Sequence, residues 1–180
     1  MRSLDAADRS VSDSVRMPPP LPIPECYWVV PGLLLAGEYP YSLVEDGGRE
    51  RLRAFLGAGI RLFVDLTEPR ESGRLGALEP YADALLEEAA ARGVSVRVVR
   101  HPVKDMSALR DGRLARIVDE LEGAVARGEP AYVHCWGGIG RTGTAVAAFL
   151  SRRLALTGDE ALDLLDALWQ EVPKSATFPE

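Results

Sequence analysis

The segment His134-Cys135-Trp136-Gly137-Gly138-Ile139-Gly140-Arg141-Thr142-Gly143 holds the residues best placed to do chemistry. It lies where the apolar run AYVHC hands over to TGTAVAAFLSRRLAL, a strand followed by a helix. Three glycines inside the loop, Gly137, Gly138 and Gly140, let it curl so that successive backbone N–H groups point into one concavity. The helix that follows directs its positive N-terminal end at the same point. The result is an anion cradle with a thiol at its start and a guanidinium at its end. N–H donors and a helix end favour a thiolate, which is the nucleophilic form of cysteine. Arg141 supplies a planar fork suited to two oxygens of one phosphate. A nucleophile beneath a bound phosphorus is a catalyst rather than a mere binder.

The elements that must position this loop can be read on either side of it. WVV and LLLAG flank Pro31-Gly32 and read as two short strands joined by a turn. A helix is expected from about Leu43 to Gly57, followed by the buried strand RLFVDLT, which stops at Glu68-Pro69. Leu78, Tyr81, Leu85, Leu86 and Ala89 recur at helical spacing before Gly93. VSVRVVR alternates as a strand, and Leu114, Ile117, Val118, Leu121 and Val125 mark an amphipathic helix closed by Gly128. A last helix begins at a Thr157 or Asp159 cap and sets Leu162, Leu165 and Trp169 on one face. Strands alternating with helices predict an α/β fold, one central sheet covered by helices.

Residues 1–25 stand apart. They begin polar and end in PPPLPIP, an extended arm; docking to a proline-recognising module is the sharper alternative. Residues 26–180 then form one domain, which suits a chain of 180 residues that is 47% hydrophobic. Lys+Arg 21 against Asp+Glu 27 leaves a net charge of −6, which speaks against nucleic acid or an anionic membrane as partner. No apolar run is long enough to span a bilayer, and the N-terminus has no hydrophobic signal region. Two cysteines, Cys26 and Cys135, build no disulfide framework, and with only His101 and His134 a four-ligand zinc site is not expected. These bounds predict a soluble protein of a reducing compartment, the cytoplasm.

His-Cys-X5-Arg-Thr-Gly with internal glycines resembles the phosphate loop of cysteine-dependent protein tyrosine and dual-specificity phosphatases. The short chain and the approach Trp28-Val29-Val30-Pro31-Gly32-Leu33-Leu34-Leu35-Ala36-Gly37 resemble the compact dual-specificity group, and CWGGIGRT is similar to the loop of cyclin-dependent-kinase-associated phosphatases. Cys-X5-Arg alone is a weak pattern shared with unrelated thiol enzymes. With the His, the glycines, the Thr-Gly and the strand–loop–helix setting it is specific. The resemblance implies a protein-tyrosine-phosphatase-like fold over residues 26–180, with the loop between a strand and a helix.

It also implies roles. Asp105, in His101-Pro102-Val103-Lys104-Asp105, follows the strand VSVRVVR 30 residues before Cys135, where such phosphatases carry a general acid. An ester oxygen needs a proton as it leaves. Asp111 is a rival acid, Asp65 a weaker one, and a plain turn residue is the bland alternative for Asp105. Glu68, after RLFVDLT, stands where similar phosphatases pair a Glu with the loop Arg; a solvated Glu is the even alternative. Arg70 either touches substrate phosphate or is a surface charge. His134 is expected to hydrogen-bond the loop backbone, and His101 to be structural. Thr142 either donates to the Cys135 sulfur or caps the helix. Cys26 is either inert or a resolving thiol. The expected mechanism has Cys135 attacking phosphorus while Asp105 protonates the leaving oxygen. Arg141 and the N–H groups from Trp136 to Gly140 hold the equatorial oxygens, so no metal or other cofactor is required.

The loop interior holds no Lys or Arg besides Arg141, which disfavours highly phosphorylated inositides and favours a phosphorylated protein as substrate. Trp136 is expected to pack rather than to stack on substrate. VPKSATFPE resembles the start of a stretch that in similar phosphatases leads to a water-positioning Gln; Gln170, on the preceding helix, is not that residue. A catalytically silent phosphoprotein binder is one rival reading. A sulfurtransferase or arsenate reductase is the other.

Overall fold

The computed structural model describes residues 19–41, 48–73, 76–107, 112–170 and 172. Five strands form the central sheet in the order β1-β2-β7-β3-β6. They are β1 (Cys26–Val30), β2 (Leu34–Gly37), β3 (Leu62–Asp65), β6 (Arg97–Arg100) and β7 (Ala131–His134). β1 runs antiparallel to β2, and the remaining pairs are parallel. A two-stranded ribbon, β4 (Ser72–Gly73) and β5 (Gly76–Ala77), leaves the end of β3. The helices are α1 (Arg49–Gly57), α2 (Ala82–Ala91), α3 (Arg113–Ala126), α4 (Gly140–Leu154) and α5 (Gly158–Gln170).

Alternation along the strands sorts the core into two layers. Leu34, Ala36, Leu62, Val64, Ala131 and Val133 face one side, where α3, α4 and α5 supply Leu121, Phe149 and Ala161. Leu35, Phe63 and Tyr132 face the other, packed against Leu52, Phe55 and Leu85 of α1 and α2. Helices on both faces of a mostly parallel sheet make its carboxyl edge the natural place for a site. The register fixes which residues stand there: Gly37, His134, Asp65 and Arg100 lie side by side in one row across β2, β7, β3 and β6.

The elements depart from the expectation in a few places. Only Arg49–Gly57 of the first expected helix is described as helical, and residues 42–47 lie outside the described residues. Leu78 and Tyr81 precede α2 because Pro80 keeps the chain extended before it. Two residues each are too short for the β4–β5 ribbon to show in a periodicity. α5 opens with a capping box: Thr157 Oγ1 is 3.3 Å from Glu160 N–H, which it accepts, and Thr157 N–H donates to Glu160 Oε2 at 2.8 Å. Leu162, expected on its buried face, is 54% exposed. The proline-rich stretch packs from Pro19 onward. The Trp28 indole donates to Pro19 O at 2.8 Å and Ile23 is buried in the core, so the folded part begins ahead of Cys26.

Candidate active site

Cys135 emerges from β7, buried, and the loop after it is pressed against the exit of β2. Tyr39 N–H donates to Trp136 O at 2.9 Å. Gly138 has φ 76, and a Cβ there would stand 2.5 Å from Gly37 C and 2.6 Å from Glu38 N, so only glycine fits this crossing. Trp136 is half-buried, and Ile139 and Gly140 are exposed at the loop's outer rim. Among the described residues, none of the N–H groups from Trp136 to Gly140 donates to a protein acceptor. α4 begins at Gly140 without a side-chain cap, which leaves its N-terminal end open toward the same space.

Arg141 is gripped on one side only. Its Nη1 donates to Glu71 Oε2 at 2.7 Å and to Val103 O at 2.9 Å, and Nη2 donates to Glu71 Oε1 at 2.6 Å. Nη2 also lies 3.2 Å from Asp105 Oδ1, while Nε is buried with no partner. Glu71 and Val103 thus hold three of the five N–H groups, leaving Nε–H without a partner and the second Nη2–H facing the exposed Asp105 carboxylate.

The carboxylate that holds Arg141 is Glu71, not Glu68. A turn closed by Glu71 N–H to Glu68 O, at 3.2 Å, places Pro69 and Arg70 at its corner and folds Glu71 back over the end of β3. Glu68 is left exposed, its N–H donating to Glu71 Oε2 at 3.0 Å. Pro69 at a turn's second position was the available signal, because such a turn reverses the chain three residues after Glu68. Burial pushes the Glu71 carboxyl up, but the Arg141 bonds and the Glu68 N–H outweigh it and hold it below the usual range.

Beneath the loop lies a buried polar row. His134 Nδ1 is 3.2 Å from Cys135 O, and Nε2 is 2.8 Å from the Tyr81 hydroxyl. A carbonyl only accepts, so Nδ1 carries the proton and Tyr81 O–H donates to Nε2. Burial drives the His134 pKa down, against the pull of Asp65 and the Cys135 carbonyl, so the ring is neutral. Asp65 accepts from Thr67 N and Oγ1 at 2.8 and 2.6 Å, and from Arg100 Nε and Nη2 at 2.9 and 2.8 Å. Burial raises its pKa, but the Thr67 donors and the Arg100 guanidinium pull it below the ordinary range. A fully buried carboxylate so saturated is no proton donor, which removes it as a rival acid.

Asp105 is 56% exposed, on a turn closed by Ser107 N–H to Lys104 O at 3.3 Å. Asp111 and residues 173–180 lie outside the described residues, and Gln170 is exposed at the end of α5. His101 is half-buried, its Nε2 unpartnered. Thr142 Oγ1 is buried and partnerless, so neither expected contact, to sulfur or as a cap, is made here. Cys26 is no resolving thiol for Cys135. It faces the α1–α2 side of the sheet while Cys135 faces the other, and it donates to Ile23 O at 3.0 Å. Burial pushes its pKa up to about 12.

A Cys-X5-Arg cradle at the carboxyl edge of a mostly parallel sheet, with a Glu-clamped arginine, defines a cysteine-based phosphatase of the protein tyrosine and dual-specificity superfamily. Residues 24–171 match the family described as Swiss Army Knife protein, DSP-PTPase phosphatase domain, and the chain belongs to it. It is 27% identical over 136 residues to mouse protein tyrosine phosphatase domain-containing protein 1, covering 75% of this chain but only 18% of that protein. The structure of Tk-PTP in its active form superposes with a TM-score of 0.61 at 26% identity, over 81% of this chain and 84% of that one. Kinase-associated phosphatase gives 0.61 at 16% identity, over 82% and 84%. PTPMT1 in complex with PI(5)P gives 0.56 at 20%, over 84% and 98%; these last two likenesses concern the fold alone.

Proposed function

We propose that this chain hydrolyses phosphate monoesters on phosphorylated tyrosine, serine or threonine of proteins through a phosphocysteine on Cys135. The observation that carries the reading is the set of uncommitted donors around the thiol: Arg141 Nε–H and, among the described residues, the N–H groups of Trp136, Gly137, Gly138, Ile139 and Gly140. Such donors suit the three equatorial oxygens of a phosphoryl group in flight. The match to tyrosine phosphatase domains supports a protein as the carrier of the ester.

In the first step a sulfur–phosphorus bond forms as the ester oxygen–phosphorus bond breaks, and Asp105 gives its proton to the departing oxygen. In the second, Asp105 takes a proton from water, whose oxygen bonds phosphorus as the sulfur leaves. Asp105 stands 3.2 Å from Arg141 Nη2 and is more than half exposed, which supports its exchanging protons with both a bound ester and solvent. Glu71 and Val103 keep the guanidinium in plane, and His134 and Tyr81 hold the Cys135 carbonyl and hence the base of the loop.

The test is turnover of an aryl phosphate with EDTA present. Phosphate release by wild type that vanishes in Cys135→Ser and falls about 10²–10⁴-fold in Asp105→Ala is expected. Tight binding of a phosphate analogue with no release would make the chain a phosphoprotein binder and overturn the reading. Turnover unaffected in Asp105→Ala would remove that residue as the acid.

A further inference from the structure

Two turns border Arg141, and each carries a cation that pairs with nothing among the described residues. They leave the sheet together, Val103 N–H donating to Leu66 O at 3.1 Å, and both deliver an acceptor to Arg141. On the first, Arg70 has φ 64, a left-handed backbone that glycine adopts freely and arginine does not. Met106, with φ 55, holds the corresponding corner of the second turn, next to Lys104 and Asp105. The side chains of Arg70 and Lys104 are exposed and make no hydrogen bond or ion pair.

Arg97 and Arg152 each hold two carboxylates, whereas Arg70 and Lys104 hold none among the described residues. Arg70 sits between Glu68 and Glu71 and takes neither, since Glu71 is spent on Arg141 and the turn sends Glu68 away. A strained backbone that displays a side chain with no internal contact points to a partner outside the chain. Here the display is cationic, on a protein of net charge −6, and it flanks the place where a phosphate would sit.

We infer that Arg70 and Lys104 form an anion-reading rim, and that the preferred substrates are phosphopeptides with an acidic side chain beside the phosphorylated residue. The inference rests on the phosphatase reading and narrows its substrate class. Among the described residues of the two turns, two free cations, with none inside the loop, fit one additional carboxylate better than the several phosphates of a polyphosphorylated headgroup.

The test compares two phosphotyrosine peptides that differ only in Glu or Ala on either side of the phosphotyrosine, reading the ratio of kcat/KM. Wild type is expected to prefer the Glu peptide about tenfold, and Arg70→Gly and Lys104→Ala each to cut that ratio about threefold, the scale of one exposed ion pair. Arg70→Glu should lower it further and Arg70→Lys retain most of it, and 0.5 M NaCl should bring it toward one. Arg70→Gly should melt no lower than wild type, because glycine accepts φ 64 without strain. A wild-type ratio near one, a ratio unchanged in the variants, or a lower Tm for Arg70→Gly would overturn the inference. So would a short-chain phosphatidylinositol phosphate cleaved faster than the Glu peptide with the same dependence on Arg70, which would make a lipid headgroup the source of the second anion. If no ester is turned over, the phosphatase reading fails by itself. The same ratio, read from peptide affinities by fluorescence anisotropy on wild type and on Cys135→Ser, still decides for or against the rim.

Discussion

Replacing Glu71 with Gln keeps the side chain's length and one carbonyl oxygen but turns an amide donor toward a guanidinium that only donates. Two charge-assisted bonds, at 2.7 and 2.6 Å, are reduced to one neutral bond and one clash. Arg141 is 4% exposed and Glu71 9%. Removing one partner of a fully buried ion pair costs about 3–5 kcal/mol. Arg141 keeps Val103 O and the neighbouring Asp105, so the loss here is set at about 2–3 kcal/mol. For a domain of this size, each kcal/mol lowers Tm by about 2–4 °C, which gives a fall of about 5–10 °C. The freed guanidinium swings, and a displacement near 1 Å at a positioning group costs about 10²-fold in rate. Aryl phosphate kinetics on Glu71→Gln and Glu68→Gln, with parallel thermal melts, check both figures. KM should rise and kcat fall in the first variant, because Arg141 touches phosphate before and during transfer. The second variant should stay within twofold of wild type. A Glu71→Gln enzyme that keeps near-wild-type kcat/KM, or a Glu68→Gln enzyme that loses it, would refute the clamp.

Gly138→Ala combines left-handed strain with a Cβ driven into the backbone of Gly37 and Glu38, and is expected to cost about 2–5 kcal/mol and most of the activity, read by melting and kcat/KM. Iodoacetamide at pH 8 should modify Cys135 and spare Cys26, and peroxide should yield no disulfide between the two. Peptide mass mapping checks both, and a Cys26–Cys135 linkage would contradict the two-sided placement. Between pH 8 and pH 4, stability should fall on acidification. His134 is depressed, so its contribution is complete above its unfolded pKa of about 6.5 and is lost as pH drops; Asp65 and Glu71 are depressed too, and theirs is complete above about 4 and lost below it. Melts should therefore hold level from pH 8 to 7, decline below 6.5 and steepen below 4.5. A Tm that rises on acidification would show the sign to be wrong.

The loop was legible because its chemistry is local: Cys135, the glycines and Arg141 follow one another, and the strand before and helix after them are strongly patterned. Asp105 was expected only through the resemblance, on the far side of one strand and one helix, and the structure places it beside Arg141. Glu71 was missed because choosing between Glu68 and Glu71 needs the turn's geometry, and the eye stops at the residue nearest the strand. Asp65 looked like a possible acid because a strand-end carboxylate carries no mark of its partners. Only the register, which sets it between His134 and Arg100, shows it saturated. Tyr81 reads as an apolar helix residue, yet its hydroxyl donates to the ring of a histidine 53 positions later. Contacts that span the sheet leave no trace in spacing, which is why the inner ring of the site was legible and its supports were not.

β6 is an outer strand of the sheet, with one side of its backbone unmatched among the described residues, and it is also the strand that leads into the turn carrying Asp105. An open edge invites a second chain to add a strand. β6 is only four residues long, and arginines stand at both ends, Arg97 drawn to Glu120 and Glu129 and Arg100 to Asp65. An incoming strand would have to desolvate or displace those ion pairs while gaining few backbone bonds. Arg100, which saturates Asp65 in the buried polar row, and Arg97 at the other end of the strand thus also discourage edge-to-edge association, so neutralising either would expose this phosphatase to self-assembly through the strand beside the Cys135 loop's sheet edge.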